Sequence, residues 1–205
     1  MVVLMEYTEY TKFFIAILSI VDPLAALPIY FAMTEQMAPA QKKKLPSLLG
    51  FTITITLLVA LFLGETILAF FGISTGSFRI ASGLLLLITA YQMFQSSTLS
   101  NVISSNNEDV NAVVPLAIPL LAGPGAMSTV IVYSSHHNSL VHLLSLAFCI
   151  FLLGIVVWIF FRMASILIQK ISPLTLAISS KVMGLIIAAI AVEFIANGVK
   201  MLVAL

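Results

Sequence analysis

Apolar and polar residues follow one another along this chain in long blocks rather than residue by residue. Six apolar stretches, 11–33, 46–71, 77–96, 112–134, 140–168 and 180–203, are separated by short polar pieces such as "TEQMAPAQKKK" (34–44), "GISTGS" (72–77) and "SSHHNS" (134–139). Each stretch is long enough for the roughly 20 residues that a helix needs to cross a bilayer. No segment alternates with period two over about ten residues, as a membrane barrel strand does. The pattern predicts an all-α polytopic membrane protein, six transmembrane helices forming a single transmembrane domain over residues 1–205.

Composition agrees. Of the residues, 61% are hydrophobic and 8% charged, where a soluble domain carries about 25% charged. The mean hydropathy is +1.17. Such a chain cannot cover itself with polar surface, so its solvent is lipid. The net charge of +1 comes with no basic patch, which argues against a nucleic-acid partner. The single Cys149 can form no internal disulfide and reads as a small buried hydrophobe. The first apolar stretch follows Lys12 without a clear small-residue cleavage site and reads as a retained span. Lys12, Arg79 and Lys200 fall on one side of a six-span arrangement; Lys42, Lys43, Lys44, Lys170 and Lys181 fall on the other, with Arg162 near it. The second side is therefore expected to be cytoplasmic, with both termini outside.

Two motifs recur. "PLAALP" (Pro23–Pro28) and "PLLAGP" (Pro119–Pro124) share four of six positions, at an offset of 96. "GLLLLITAYQ" (Gly83–Gln92) and "GLIIAAIAVE" (Gly184–Glu193) share Gly, Leu and Ala and end on Gln92 and Glu193, at an offset of 101. The chain thus reads as two three-span halves, about 1–100 and 101–205. Three is odd, so the halves cross the membrane in opposite senses, and this 3+3 inverted repeat is transporter architecture.

Proline removes a backbone donor and breaks a helix, and freed backbone groups must face protein or a polar cavity rather than lipid. The first and fourth helices are therefore expected to be broken, and the breaks to form a substrate site from Asp22, Pro23, Leu27, Pro28, Pro119, Gly123, Pro124 and Gly125. A half-helix starting near Gly125 would aim free N–H groups into that site, with the hydroxyls of Ser128 and Thr129 in its first turn.

Asp22 and Glu193 lie at depth, where an ionised acid costs about 2.5–3.5 kcal/mol. Glu193 and Asn197 stand at i, i+4 and Lys200 at i+7, giving the sixth helix a polar face. Asp22, Gln92, Glu193 and Asn197 are the candidates for a proton-coupling or polar network; backbone donors or Lys200 merely satisfying Glu193 is the plain alternative. Glu65 reads as an interfacial acid, Arg79 as a partner of lipid headgroups or of Glu65, and Ser82 with Gly83 as a close helix contact. His136, His137 and His142 are expected outside, with no further ligand to make a metal site. No catalytic or nucleotide-binding motif occurs, so neither an enzyme nor a cofactor is expected.

The stretches "VDPLAALPIY" (21–30), "LGETILAFFGISTGSFRIASG" (63–83), "VVPLAIPLLAGPGAMST" (113–129) and "VMGLIIAAIAVEFIANGVK" (182–200) resemble the MarC family of bacterial and archaeal integral membrane proteins, SnatA-like members included. The resemblance covers nearly the whole chain. It implies six spans with an inverted repeat. Members carry Asn or Asp at the place of Asp22, often Gln at that of Glu193, and two adjacent glycines where Ser82 and Gly83 stand. Some members look like carriers of small neutral amino acids such as glycine and alanine. The N-terminus near Gly125 suits the carboxylate of such a ligand, and carbonyls of the first break, or Asp22, suit its ammonium; Asp22 could otherwise cap the half-helix beginning at Pro23. The expectation is a proton-linked secondary transporter of small neutral amino acids in the bacterial inner (plasma) membrane, in contact with lipid and compatible with a homo-oligomer. The alternatives are a non-transporting assembly or stress partner and a channel.

Overall fold

The computed structural model describes residues 2–24, 26–27, 30, 34, 37–94, 122–135, 139–167 and 173–203. Their regular structure is six helices and no strand: α1 (Val2–Val21), α2 (Pro39–Phe70), α3 (Thr75–Phe94), α4 (Pro124–Ser134), α5 (Leu140–Leu167) and α6 (Pro173–Val203). Over the described residues α2, α3, Leu140–Ala164 of α5 and Lys181–Val203 of α6 are long and apolar enough to cross a membrane.

Local chemistry sets the ends. Gln41 Oε1 accepts the Ala38 N–H at 3.3 Å, and Pro39 takes the first helical position of α2, where no donor is missed. α2 starts before the expected 46 because a polar turn carrying exposed Lys42, Lys43 and Lys44 extends the helix past its apolar part. It ends in a Schellman turn. Gly72 takes φ +66°, the Ile73 N–H reaches Leu68 O at 2.9 Å, and the Gly72 N–H reaches Ala69 O at 3.0 Å. Ser74 then caps α3 by accepting the Ser77 N–H at 3.1 Å. α6 also starts before its expected limit, at Pro173.

The helices bury one stripe each and turn another outward. In α5, Leu146, Ile150, Leu153, Val157 and Phe161 are buried, whereas Leu144, Phe148 and Phe151 are exposed. An exposed face this apolar belongs against lipid tails. α4 differs: buried residues lie on all its sides, Gly125, Ala126, Ser128, Val130, Ile131 and Val132 among them, and it touches α1, α2, α3 and α5. It is the central element.

α3 packs chiefly on α6, α2 on α5, and α1 chiefly on α4 and α5. Glycines bring the first two pairs close. A methyl group at Gly76 would lie 3.1 Å from Gly198 O, one at Gly83 2.9 Å from Ala191 O, and one at Gly184 3.3 Å from Ala90 O. One helix ascends as the other descends, so α3 and α6 are antiparallel. In α2 and α5, a methyl at Gly50 would lie 2.8 Å from Gly154 O, and one at Gly154 3.2 Å from Gly50 O. Small residues at such crossings let backbones approach and gain dispersion contact where lipid offers no hydrophobic driving force.

Candidate functional site

α1 ends at Val21, well inside the expected first span, because the next residue leaves helical space: Asp22 takes φ +38° and precedes Pro23. The Asp22 N–H still closes the last turn on Leu18 O at 3.0 Å, and the Ala26 N–H reaches Asp22 O at 3.4 Å across the following turn. Asp22 and Leu27 are buried, and Pro23 is half-buried. Pro28 and Pro119 lie outside the described residues.

α4 begins as its sequence dictates, with Gly123 at the N-cap and Pro124 at the first helical position. The Leu86 side chain from α3 packs on Gly125, where a methyl group would lie 2.5 Å from Leu86 Cδ2. One turn on, Thr129 donates its hydroxyl to Gly125 O at 2.9 Å, which leaves its oxygen lone pairs as acceptors. Ser128 is fully buried, and its Oγ has no hydrogen-bond partner among the described residues.

Beside the second half of α4 lies a cavity of about 360 Å³. Ala16 and Ile20 of α1, Arg79 of α3, Thr129, Val132 and Tyr133 of α4, and Ala189, Ile190, Glu193 and Phe194 of α6 line it. At 1.5 Å per residue, its lining on α4 starts about 7 Å beyond the helix N-terminus, so it is Thr129 rather than the first-turn amides that borders the space.

The cavity holds both signs of charge. The Arg79 guanidinium lies over the Phe194 ring, its Cζ 5.2 Å from the centroid, and a face-on cation of this kind is attracted by the ring quadrupole. Arg79 Nε is buried and has no hydrogen-bond partner among the described residues. Glu193 Oε1 accepts a hydrogen bond from Asn197 Nδ2, as the i, i+4 spacing predicts. The carboxylate is thereby oriented from its own helix.

Tyr133 is braced from outside the cavity. Its ring packs on Phe13 at 5.0 Å between centroids, and its carbonyl lies 2.8 Å from His142 Nε2. A carbonyl only accepts, so Nε2 carries the hydrogen; in the neutral ring Nδ1 then accepts from the Tyr10 hydroxyl at 3.0 Å. His142 thus ties α1 to the end of α4 and is buried. His136 and His137 lie outside the described residues, among which no group of His, Cys, Asp or Glu could hold a metal ion.

Of the residues read from the sequence, Thr129 and Glu193 meet at this cavity, with Asn197 behind Glu193. Asp22, Pro23, Leu27, Gly123, Pro124, Gly125 and Ser128 lie off its lining, and Gln92 is exposed on α3. Arg79 is the residue that sequence reasoning misplaced. Expected at headgroups or beside Glu65, it turns onto α6, because antiparallel packing of α3 and α6 sets it level with Phe194. Tyr133 was not anticipated, and no local pattern marks it.

The chain matches the MarC family of integral membrane proteins over residues 7–203. It is similar to a UPF0056 membrane protein of Buchnera aphidicola subsp. Schizaphis graminum, 36% identical over 197 residues that cover 95% of this chain and 93% of that protein. It is 34% identical to the UPF0056 membrane protein YhcE of Escherichia coli over 201 residues, covering 95% and 94% of the two chains. A UPF0056 membrane protein of Pyrococcus abyssi is 32% identical over 195 residues, covering 93% and 94%. No solved structure matches. The chain belongs to the MarC family of integral membrane proteins.

Proposed function

We propose that this MarC family protein is a proton-linked secondary transporter of small neutral amino acids, not an enzyme, built as a 3+3 inverted repeat in the inner membrane. The observation that carries the reading is where the cavity lies. Its walls come from α1 and α3 of the first half and from α4 and α6 of the second. A carrier made of two inverted halves has its site at their interface, where rocking of one half against the other exposes the site alternately to each side.

The packing supports the repeat. A methyl group at Gly83 would meet Ala191 O, Phe194 and Ile195, and one at Gly184 would meet Ala90 O, Met93 and Phe94. A shift of 101 residues carries Gly83, Ala90, Met93 and Phe94 onto Gly184, Ala191, Phe194 and Ile195. The two sets of contacts exchange under that shift, as a two-fold relation requires. Antiparallel packing of α3 on α6 fits copies that cross the membrane in opposite senses. Glu193 is the carboxylate best placed to exchange a proton with the cavity.

Melting of the purified protein with and without ligand tests the reading. Glycine or alanine at a hundredfold excess over its dissociation constant should stabilise the fold by about 2.7 kcal/mol. A melting temperature unmoved by any small neutral amino acid at millimolar concentration would point to a non-transporting partner instead.

A further inference from the structure

We infer that Arg79 and Glu193 are the two poles of a receptor for a zwitterion, Arg79 taking the ligand's carboxylate and Glu193 its ammonium. The inference rests on the carrier reading and assigns its substrate contacts. Charges inside a membrane bundle are costly and are usually spent on one another. Here both line the same cavity, Arg79 part-buried and Glu193 exposed at its edge, and each has a further contact of its own. Arg79 is held by the Phe194 face, with a buried Nε that has no hydrogen-bond partner among the described residues. Glu193 is held by Asn197. Contact with the ring holds the guanidinium at the cavity wall, and a carboxylate pairs with the two terminal nitrogens of such a group through parallel hydrogen bonds. Glu193 and Phe194 both line the cavity from α6, so the helix that holds Arg79 also supplies the negative pole.

The pairing also defines what the cavity rejects. A zwitterion adds no net charge and satisfies both poles. An amine leaves the part-buried Arg79 without a counter-charge, and a carboxylic acid offers nothing to Glu193, which is exposed at the edge of the cavity; leaving the part-buried guanidinium unpaired is the costlier failure. The other walls, Ala16, Ile20, Val132, Ala189 and Ile190, are apolar, which fits an apolar side chain and disfavours a third charge.

The test uses wild-type protein with alanine, ethylamine (alanine without its carboxylate) and propionate (alanine without its ammonium) at equal concentration. Alanine should raise the melting temperature, and the other two should leave it unmoved. In proteoliposomes, Arg79→Gln and Glu193→Gln should each raise KM for alanine about tenfold or more, while Glu65→Gln, exposed on α2, keeps wild-type uptake. Ethylamine or propionate stabilising as well as alanine overturns the inference alone, as does wild-type KM in both folded Gln variants. If those variants do not fold, the three-ligand comparison decides. No response of the wild type to alanine, in melting or in uptake, overturns the carrier reading and the inference with it.

Discussion

Asp22 illustrates how much one position can be asked to do. It is buried, it ends α1, and its backbone sits at φ +38°, a region that costs ordinary residues about 1–2 kcal/mol and that Asn and Asp enter more readily than other side chains. A preference for Asn or Asp here can therefore be a backbone preference, with no charge required. The prediction follows from that conformation: Asp22→Asn and Asp22→Gly keep the melting temperature near wild type, while Asp22→Ala loses about 1 kcal/mol. Thermal melts of the three purified variants check it. Equal losses in Asn and Ala would show that the carboxylate, not the backbone, matters. Arg79 is the contrasting residue. Its neighbours in sequence say only that it opens a span; its place in a cavity depends on Phe194, 115 positions away.

The antiparallel pair of α3 and α6 is held by glycines whose tightness differs. A methyl at Gly83 would come within 2.8–2.9 Å of Ile195 and Ala191 O, whereas at Gly184 the nearest atoms are 3.1–3.3 Å away. Gly83→Ala should therefore cost about 1–3 kcal/mol through overpacking, and Gly184→Ala less. Melting of the two variants should rank them in that order; a larger loss at Gly184 would contradict the packing described. The break between α2 and α3 was legible in the sequence as a short polar piece, and the chemistry that makes it a turn is local. Gly72 supplies a left-handed residue and Ser74 a cap, both inside "GISTGS". Helix limits were less legible, since apolar content marks where lipid lies and not where hydrogen bonding stops. Hence α2 runs on through its lysine turn, and α1 stops at a backbone outlier in the middle of an apolar stretch.

For the whole molecule, the sequence made clear the class, the family and the helical character, because each rests on composition or on long motifs. The candidate site was half legible: Glu193, Asn197 and Thr129 stand out as polar groups at depth, but which of them share a space depends on helix packing. The lysine and arginine distribution belongs to this scale too. It predicts both termini outside the cytoplasm, so a C-terminal phosphatase fusion should be active and a C-terminal fluorescent-protein fusion dark; the reverse would show that Lys42, Lys43 and Lys44 are not the cytoplasmic anchor.

The central claim is that two halves of one membrane domain enclose a site for a small zwitterion and pass it across. Uptake of labelled glycine and alanine into proteoliposomes, with and without an imposed pH gradient, tests it most directly. The account predicts saturable uptake, mutual competition between the two amino acids, and a change in rate when the gradient is imposed. Flux no greater than in protein-free liposomes, or flux that rises with concentration without saturating, would contradict it.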